Sequence, residues 1–458
     1  MLMKKNIKRQ RLIAWIAVIG VSLVMLTLIF VAFLLLKDPV SEKIAEAIPH
    51  QEEAEEVVEE ESEPQTVPEE GEAISEESLE EIFGNLEEEP EEIYEEPEED
   101  TVDEELEAQA AEILEGMSLE DQVAQLFFIT PEALTGVDVV TAAGQKTKES
   151  LDEHPVGGII LFGHNIEDPD QLQEMTGNLI KYSMERVSLP IFIGIDEEGG
   201  SVTRIASNSE FDVPKVDSML DIGRSSDPHT AYEAGHTIGT YLSENGINVN
   251  FAPDADVLME DVDSVIGDRA FGYSPEVVAD MSAGYLEGLT DAGIIGVAKH
   301  FPGHGGVSND THKGTVVTDK TWGELSEMDL IPFERLISEN VPMIMVSHIS
   351  APEVTAEEVP SSMSSIMITQ KLRVELGYKG IVITDAMNMG AVSSVYSSDE
   401  AAIASLKAGA DIILTPKDFE EAYNGVLSAV ENGDITQERI SESVLRIIRL
   451  KLKLGYEG

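Results

Sequence analysis

The strongest constraint on the fold is a series of short apolar segments that alternates with longer amphipathic ones. Eight apolar segments are rich in β-branched and aromatic residues, and they lie at 125–130, 157–162, 191–196, 248–253, 294–300, 342–348, 380–385 and 411–415. Stretches with helical spacing lie between them, among them 169–185, 229–245, 275–292, 366–376 and 399–408. Near-continuous apolar strands alternating with helices are typical of a parallel sheet that is buried on both faces.

The number of repeats narrows the fold class further. Eight strand–helix repeats within residues 109–458 match an α/β fold of the (β/α)8 TIM-barrel type in both count and length. An open, doubly wound sheet is the alternative architecture. We therefore predict one barrel domain over 109–458.

The N-terminal region has the pattern of a membrane anchor. Residues 12–36 contain no charged side chain, and as a helix rising about 1.5 Å per residue they are long enough to span a bilayer. Five basic residues precede them within 1–11, which predicts a cytoplasmic N-terminus and an extracellular barrel domain. A cleaved signal peptide is the alternative, but its apolar region would be shorter and followed by small residues. The prediction is a single-pass protein of the cell membrane.

Charge and composition exclude several classes of function. The formal net charge is −60, which argues against nucleic-acid binding, because that requires Lys and Arg at the phosphates. No Lys or Arg lies between 51 and 116, and we interpret 37–108 as an acidic, disordered linker. The chain has no cysteine, so disulfides, thiolate metal sites and cysteine nucleophiles are absent.

Polar residues collect where the predicted strands end. Carboxylates, a lysine and histidines follow the third to seventh strands, as Asp196, Glu197, Glu198, Asp254, Asp256, Lys299, His300, His348 and Asp385. The carboxyl ends of barrel strands converge on one mouth, where active sites are built. This register indicates an enzyme.

The loop 299–314, KHFPGHGGVSNDTHKG, carries the highest density of such groups. Its donors His300, His304, Asp310 and His312 could in principle form a metal site. The prolines and glycines between them disfavour the helix that would co-orient the first two. A carboxylate beside an imidazole, as in Asp310-x-His312, instead suits a proton shuttle near neutral pH.

Asp385 ends an apolar strand, where an unpaired buried charge is costly. On its own it could equally be the N-cap of the next helix. Together with the Asp310/His312 loop two strands earlier, it is better interpreted as a nucleophile.

These motifs resemble glycoside hydrolase family 3. The resemblance rests on GGIILFGHN, IDEEGGSVTR, NFAPDADV, IGDRAFG, KHFPGHG followed by Asp-x-His, IMVSHI and ITDAMNMGAV, in the right order over about 110–455. Within the family the chain is most similar to the bacterial β-N-acetylglucosaminidases that act on peptidoglycan fragments. The chain departs from the family pattern at Ser201, where Arg is usual, and at Thr311, where many members have Ser.

The resemblance implies a role for each site residue. Asp385 would be the nucleophile and His312 the general acid/base, with Asp310 as the hydrogen-bond partner of His312. The sugar-binding residues implied are Asp196, Arg269, Lys299 and His300. Asp256 and His304 would support them. No cofactor and no metal are implied, and the partner is a carbohydrate.

Other functions remain open at the sequence level. A phosphorylase on the same fold would use phosphate in place of water, and a catalytically silent wall-binding protein would need neither. The larger β-glucosidases of the family take their acid/base carboxylate from a second domain that is not recognised here, which weighs against β-glucosidase activity. The sequence does not determine the oligomeric state, and we expect a monomer.

Overall fold

The computed structural model describes residues 101–455, except residue 309. The predicted cytoplasmic segment 1–11, the anchor 12–36 and most of the linker 37–108 lie outside the described residues and stay predictions. Within the part of the chain that is described, no helix is long and apolar enough to cross a membrane.

All eight predicted strands are present, and they form one parallel sheet. The ten strands of the described region are β1 Phe127–Ile129, β2 Gly158–Ile160, β3 Phe192–Ile195, β4 Val249–Asn250, β5 Ile295–Phe301, β6 Val316–Val317, β7 Met343–Val346, β8 Ile349–Ser350, β9 Ile381–Thr384 and β10 Ile413–Leu414. The large sheet has the order β10-β1-β2-β3-β4-β5-β7-β9, and β6 and β8 form a separate pair. A parallel bridge between Ile383 and Ile412 brings its two edges together. The sheet is a nearly closed α/β barrel of the TIM type, as predicted.

Helices surround this sheet at the predicted positions. The longer ones are Pro169–Val187, Pro228–Glu244, Pro275–Asp291, Ile331–Ser338, Ile366–Glu375, Ser398–Ala408, Phe419–Glu431 and Gln437–Leu452. Shorter helices are Leu119–Gln125, Pro131–Thr135, Gln145–Glu153, Met219–Gly223, Trp322–Ser326, Pro352–Thr355 and Gly390–Ser393. Several begin with proline after an Asp or Ser N-cap, a start that satisfies one orphan amide and pre-sets the first turn.

The barrel interior is filled by aromatic rings over small residues. The ring of Phe128 packs edge-on against Phe251 with centroids 5.3 Å apart. A Cβ at Gly158 would lie 2.5 Å from the Phe128 ring, and one at Gly194 would lie 2.7 Å from it. The two glycines therefore allow a ring to occupy the interior of a narrow eight-stranded barrel, which is a packed core and not a pore.

The helix Thr101–Gly116 precedes the barrel and packs on the helix Gln437–Leu452. Ala110 is fully buried, and Glu107 forms an ion pair with Arg449. Residues 101–108, at the end of the region interpreted as a linker, therefore belong to a helix that contacts the folded domain. The apolar spacing of 106–114 explains this, because it supplies a face that the barrel can bury.

Lys451 is a fully buried lysine in the last helix. Its Nζ donates to Oε1 of Gln125 at 2.8 Å and lies 5.0 Å from the centre of the Phe192 ring. Burial lowers the pKa of Lys451 to about 7. At neutral pH the Lys451 side chain is therefore fully protonated in the unfolded chain, where its pKa is ordinary, and only partly protonated in the folded protein.

This difference predicts a pH-dependent stability. Because the pKa is depressed in the folded state, the stability that Lys451 contributes is complete above its unfolded pKa and is lost as the pH falls toward 7. We expect the unfolding free energy of the wild type, relative to Lys451→Met, to rise by about 2 kcal/mol between about pH 7.5 and about pH 9.5. Urea unfolding at both pH values measures it. Parallel pH profiles for the two proteins would contradict the buried-lysine explanation.

Candidate active site

A cavity of about 540 Å³ opens at the carboxyl ends of the barrel strands. It is lined by all seven residues to which the family resemblance assigns a catalytic or sugar-binding role, and these are Asp196, Arg269, Lys299, His300, Asp310, His312 and Asp385. They come from five different segments of the chain. The structure therefore brings the complete predicted set together at one place.

Asp385 follows β9 directly and is 9% exposed. Its Oδ1 accepts a hydrogen bond from the amide of Ala386 at 2.7 Å. Burial raises the pKa of this carboxyl, but the imidazoles of His348 and His300 and the Ala386 amide outweigh burial, and the pKa lies below its ordinary value. Asp385 is thus an ionised carboxylate facing the cavity, as a nucleophile must be.

Asp310 and His312 form a hydrogen-bonded pair in the loop after β5. Nδ1 of His312 lies 2.9 Å from Oδ1 of Asp310, and the His312 amide donates to the same oxygen at 2.9 Å. Burial raises the pKa of Asp310, but its hydrogen bonds with His312 and Lys313 lower it further, so the net shift is downward. The side chain of His312 is 72% exposed, which leaves Nε2 accessible for proton transfer.

A cluster of two cations and two carboxylates forms one wall of the cavity. Glu198 accepts two hydrogen bonds from Arg269, both at 2.8 Å, and its Oε1 lies 2.6 Å from Nζ of Lys299. Lys299 also donates to Oδ1 of Asp196 at 3.0 Å. Glu198 therefore fixes Lys299 and Arg269 relative to each other, while each keeps further N–H groups for a ligand.

The charge states of this cluster follow from its pairing. Burial raises the pKa of Glu198, but the positive charges of Lys299 and Arg269 prevail and lower it to about 2. Burial lowers the pKa of Lys299, but Glu198 and Asp196 raise it above its ordinary value. Glu198, Lys299 and Arg269 are therefore charged at neutral pH, and the wall presents fixed donors and acceptors for sugar hydroxyls.

The orientation of Lys299 and His300 depends on an irregularity in β5. Neighbouring residues of a regular strand point to opposite faces of the sheet. The pairing of β5 with β7 shifts register between Ala298 and Phe301, and both Lys299 and His300 face the cavity. Bulges of this kind re-aim side chains beside active sites.

Asp256, after β4, is hydrogen bonded to Nδ1 of His300, and Oδ2 of Asp254 lies 3.8 Å from the same ring nitrogen. Nδ1 of His300 lies 2.7 Å from Oδ2 of Asp256, and the other oxygen of Asp256 accepts the amide of His304 at 2.5 Å. Burial lowers the pKa of His300 to about 4, so the ring is neutral and its Nε2 is available for the cavity. Burial, followed by the charge of Asp256, raises the pKa of Asp254 to about 7.

These same residues form the one group, among those described, whose ligand atoms could surround a metal ion, namely Asp254, Asp256 and His300. The carboxylates of Asp254 and Asp256 already have a cationic or a hydrogen-bonding partner. Arg269 Nη2 lies 3.4 Å from Asp254 Oδ2, and Asp256 already binds His300. The set also differs from the four donors considered in the sequence, since Asp310 and His312 lie in their own pair.

Sequence reasoning did not identify the buried glutamates as organisers of the site. Glu197 accepts the amides of Arg204, Ile205 and Ala206 and the hydroxyl of Tyr241. It thereby shapes the loop that carries Arg204 to the cavity, where Arg204 lies 3.8 Å from Asp196. The sequence signal for this role is the pair of adjacent glutamates, Glu197 and Glu198, directly before two glycines. The signal does not reveal their partners, because several of these lie far away along the chain.

A comparison of the whole domain with known protein families identifies the family to which this chain belongs. The model of the glycosyl hydrolase family 3 N-terminal domain matches residues 118–450, most of the chain and all of the barrel. The chain belongs to glycosyl hydrolase family 3.

Several proteins similar to this chain are named as β-hexosaminidases or β-N-acetylglucosaminidases. A "Beta-hexosaminidase A" of Pseudoalteromonas piscicida is 34% identical over 340 residues, which are 69% of this chain and 56% of that protein. A "Beta-hexosaminidase" of Nitrosomonas eutropha is 34% identical over 62% of this chain and 81% of its own length. The solved family 3 β-N-acetylglucosaminidase from Paenibacillus sp. FPU-7 is 34% identical, with a TM-score of 0.70 over 75% of this chain and 64% of that one. The chain thus spans less than two thirds of the first relative.

The two departures from the family 3 pattern leave this geometry in place. Ser201, where Arg is usual, hydrogen bonds to Asp268 at 3.1 Å, and the neighbouring Arg269 still pairs with Glu198 through two hydrogen bonds. Thr311, which stands between Asp310 and His312 in the sequence, is buried, and its hydroxyl lies 3.4 Å from Nε2 of His304.

Proposed function

We propose that this chain is a retaining exo-β-N-acetylglucosaminidase that hydrolyses terminal β-linked N-acetylglucosamine through a covalent glycosyl–aspartate intermediate. The observation that carries the proposal is the presence of Asp385 and of the Asp310–His312 pair in the same cavity. A nucleophile and a separate proton carrier are the two groups that a retaining mechanism requires. The names of the family 3 relatives support N-acetylglucosamine as the sugar.

In the first step a carboxylate oxygen of Asp385 attacks the anomeric carbon. The bond from that carbon to the leaving oxygen breaks, and the leaving oxygen takes the proton from Nε2 of His312. Asp310, ionised and bound at Nδ1, stabilises the imidazolium before transfer and fixes the ring orientation.

In the second step water attacks the anomeric carbon of the glycosyl ester. Nε2 of His312, now neutral, removes a proton from that water, and the Asp385 carboxylate departs. Two inversions at one carbon retain the β configuration. A histidine replaces the second carboxylate that most retaining glycosidases use, and the same number of protons is transferred in each step.

The charged wall suits the hydroxyl groups of the terminal sugar. Asp196 can accept hydrogen bonds from sugar hydroxyls, and Lys299 and Arg269 can donate hydrogen bonds to them. Nε2 of His300 can donate or accept, depending on the tautomer of the ring. Because Glu198 and Asp256 already fix these side chains, little conformational entropy is lost when the sugar binds.

We further propose that the natural substrate is a peptidoglycan fragment and that the domain works outside the cell, tethered by residues 12–36. The support is the apolar segment behind a basic N-terminus and the acidic stretch that follows it. Recovery of the full chain in the membrane fraction, with the barrel cleaved by protease added to intact cells, is the expected result. A full chain recovered in the soluble fraction would reject the anchor.

The direct test of the activity compares two chromogenic substrates. We expect residues 101–458 to release 4-nitrophenol from the β-N-acetylglucosaminide and not from the β-glucoside, at the same rate with and without a strong chelator. Formation of N-acetylglucosamine 1-phosphate when inorganic phosphate is added would instead establish the phosphorylase alternative. A protein that binds cell-wall glycan and cleaves neither substrate would be the silent binding protein.

A further inference from the structure

The turn that carries the catalytic pair is held by the segment that follows the nucleophile. This turn, residues 310–313 and here called the dyad turn, closes through a hydrogen bond from the Lys313 amide to the Asp310 carbonyl at 2.9 Å. Within it Asp310 is partly exposed and His312 mostly exposed, but Thr311 is only 3% exposed. The dyad turn is therefore anchored through its middle residue while the imidazole projects outward.

Two backbone hydrogen bonds provide the anchor. The amide of Ala391 donates to the carbonyl of Thr311 at 3.0 Å, and the amide of Gly390 donates to the carbonyl of His312 at 3.2 Å. Gly390 and Ala391 are the first residues of the short helix Gly390–Ser393. The first amides of a helix have no partner within it, so they are available to hold another segment.

The same contact depends on the absence of a side chain at position 390. A Cβ on Gly390 would lie 2.6 Å from the His312 carbonyl oxygen, whereas ordinary van der Waals contact begins near 3.4 Å. The backbone of Gly390 is not in the left-handed region, so alanine is sterically excluded by the dyad turn and not by its own conformation.

The position of this contact couples the two catalytic groups. Gly390 lies five residues after Asp385. The amide of Met387 ties the intervening chain to the barrel by donating to the carbonyl of Leu414 in β10, and the amide of Met389 closes a turn within that chain by donating to the carbonyl of Ala386. One short segment thus carries the nucleophile at its start and the support of the general acid at its end.

We propose that Gly390 and Ala391 are positioning residues that set His312 at the distance from Asp385 that proton donation to the leaving group requires. The proposal rests on the proposed glycosidase function and deepens it. Gly390 acts through His312 and touches no substrate. Displacing the dyad turn should impair protonation of the leaving oxygen and leave attack by Asp385 intact.

The dependence of the rate on the leaving group measures this. A 2,4-dinitrophenyl β-N-acetylglucosaminide releases its phenolate without a proton, whereas the phenyl β-N-acetylglucosaminide needs one. For Gly390→Ala we expect kcat/KM on the phenyl substrate to fall between about 10-fold and 10²-fold, because small displacements of a catalytic group have effects of that size. On the dinitrophenyl substrate we expect a change of less than about threefold. His312→Ala should show the same pattern more strongly, and Gly390→Ala should also weaken the dependence of the phenyl reaction on the protonation of His312 in its pH profile.

Gly314→Ala is the matched control, since a Cβ at Gly314, directly after the dyad turn, meets no atom within 4 Å. We expect wild-type kcat/KM on both substrates. Equal losses on both substrates in Gly390→Ala, or no loss on either, would overturn the proposal. If Gly390→Ala does not fold, Ala391→Pro decides in the same way, because proline removes one of the two anchoring amides at a position in the first helical turn that tolerates it. A wild-type protein that cleaves neither substrate would refute the proposed function instead, so the two failures are distinct.

Discussion

Asp385→Ala is expected to lower kcat/KM on an aryl β-N-acetylglucosaminide by a factor on the order of 10³ or more, as the loss of a nucleophile does in other enzymes. In the proposed mechanism the Asp385 carboxylate forms the bond to the anomeric carbon, and an alanine at this position supplies no oxygen that could take its place. The fold should tolerate the change, because the variant removes a buried charge and leaves its amide partner, Ala386, at the cavity edge.

Rescue by azide distinguishes a lost nucleophile from general damage. With alanine at 385, azide can enter the vacated space and attack the anomeric carbon from the same face, so the product should be the α-glycosyl azide. We expect its formation to restore turnover of the dinitrophenyl substrate in Asp385→Ala and to leave His312→Ala without that α product. Undiminished hydrolysis by Asp385→Ala would show that the nucleophile has been misassigned.

Asp411 is a buried carboxylate that accepts four hydrogen bonds and lies at the opposite end of the barrel from the cavity. It is fully buried two residues before β10, where Oδ2 accepts hydrogen bonds from Arg373 Nη2 at 2.5 Å and from the Val382 amide at 2.9 Å. Oδ1 accepts Ser443 Oγ at 2.6 Å and Arg446 Nη1 at 3.0 Å. One carboxylate thus joins the last strand, the strand β9 and the last helix.

Asp411→Asn is expected to lower the unfolding free energy by about 3–5 kcal/mol, the range for breaking a buried ion pair. Asparagine keeps the shape but removes the charge that balances the partly buried guanidinium groups of Arg373 and Arg446. It also presents an amide donor to groups that are themselves donors. Equilibrium unfolding in urea measures the difference, and the aryl glycosidase rate below the transition should be retained.

Asp280→Asn provides the comparison. Asp280 pairs with Arg335 at 2.8 Å, but both side chains are about half exposed, and exposed pairs contribute little. We expect the unfolding midpoint of this variant to stay near the wild-type value. Equal, small effects of the two substitutions would mean that the charge of Asp411 is not needed for stability.

The sequence predicts the architecture well because the signal is local and repeated. Each strand of the large sheet is a short apolar segment, and a parallel strand buried on both faces needs nothing else to be recognised. The two short strands β6 and β8 were not predicted, because Val316–Val317 and Ile349–Ser350 are too short to carry a pattern.

Which residues line the cavity can also be predicted from the sequence. Asp196, Lys299 and Asp385 each stand at the carboxyl end of a strand, and closing the barrel must bring such positions to one mouth. The Asp310–His312 pair is local, since a carboxylate two residues before an imidazole can reach Nδ1 within one turn.

Only the tertiary structure decided how these groups are supported. Glu198 joins Lys299 to Arg269, the register shift in β5 turns Lys299 and His300 to the same side, and Gly390 admits the dyad turn. Each of these contacts joins residues that are tens of positions apart along the chain, and each depends on distances of a few tenths of an ångström. A sequence pattern specifies which face or strand end a residue occupies, because that follows from the local period of the backbone. It does not specify which distant group a side chain meets there, because that is determined by packing of the completed barrel.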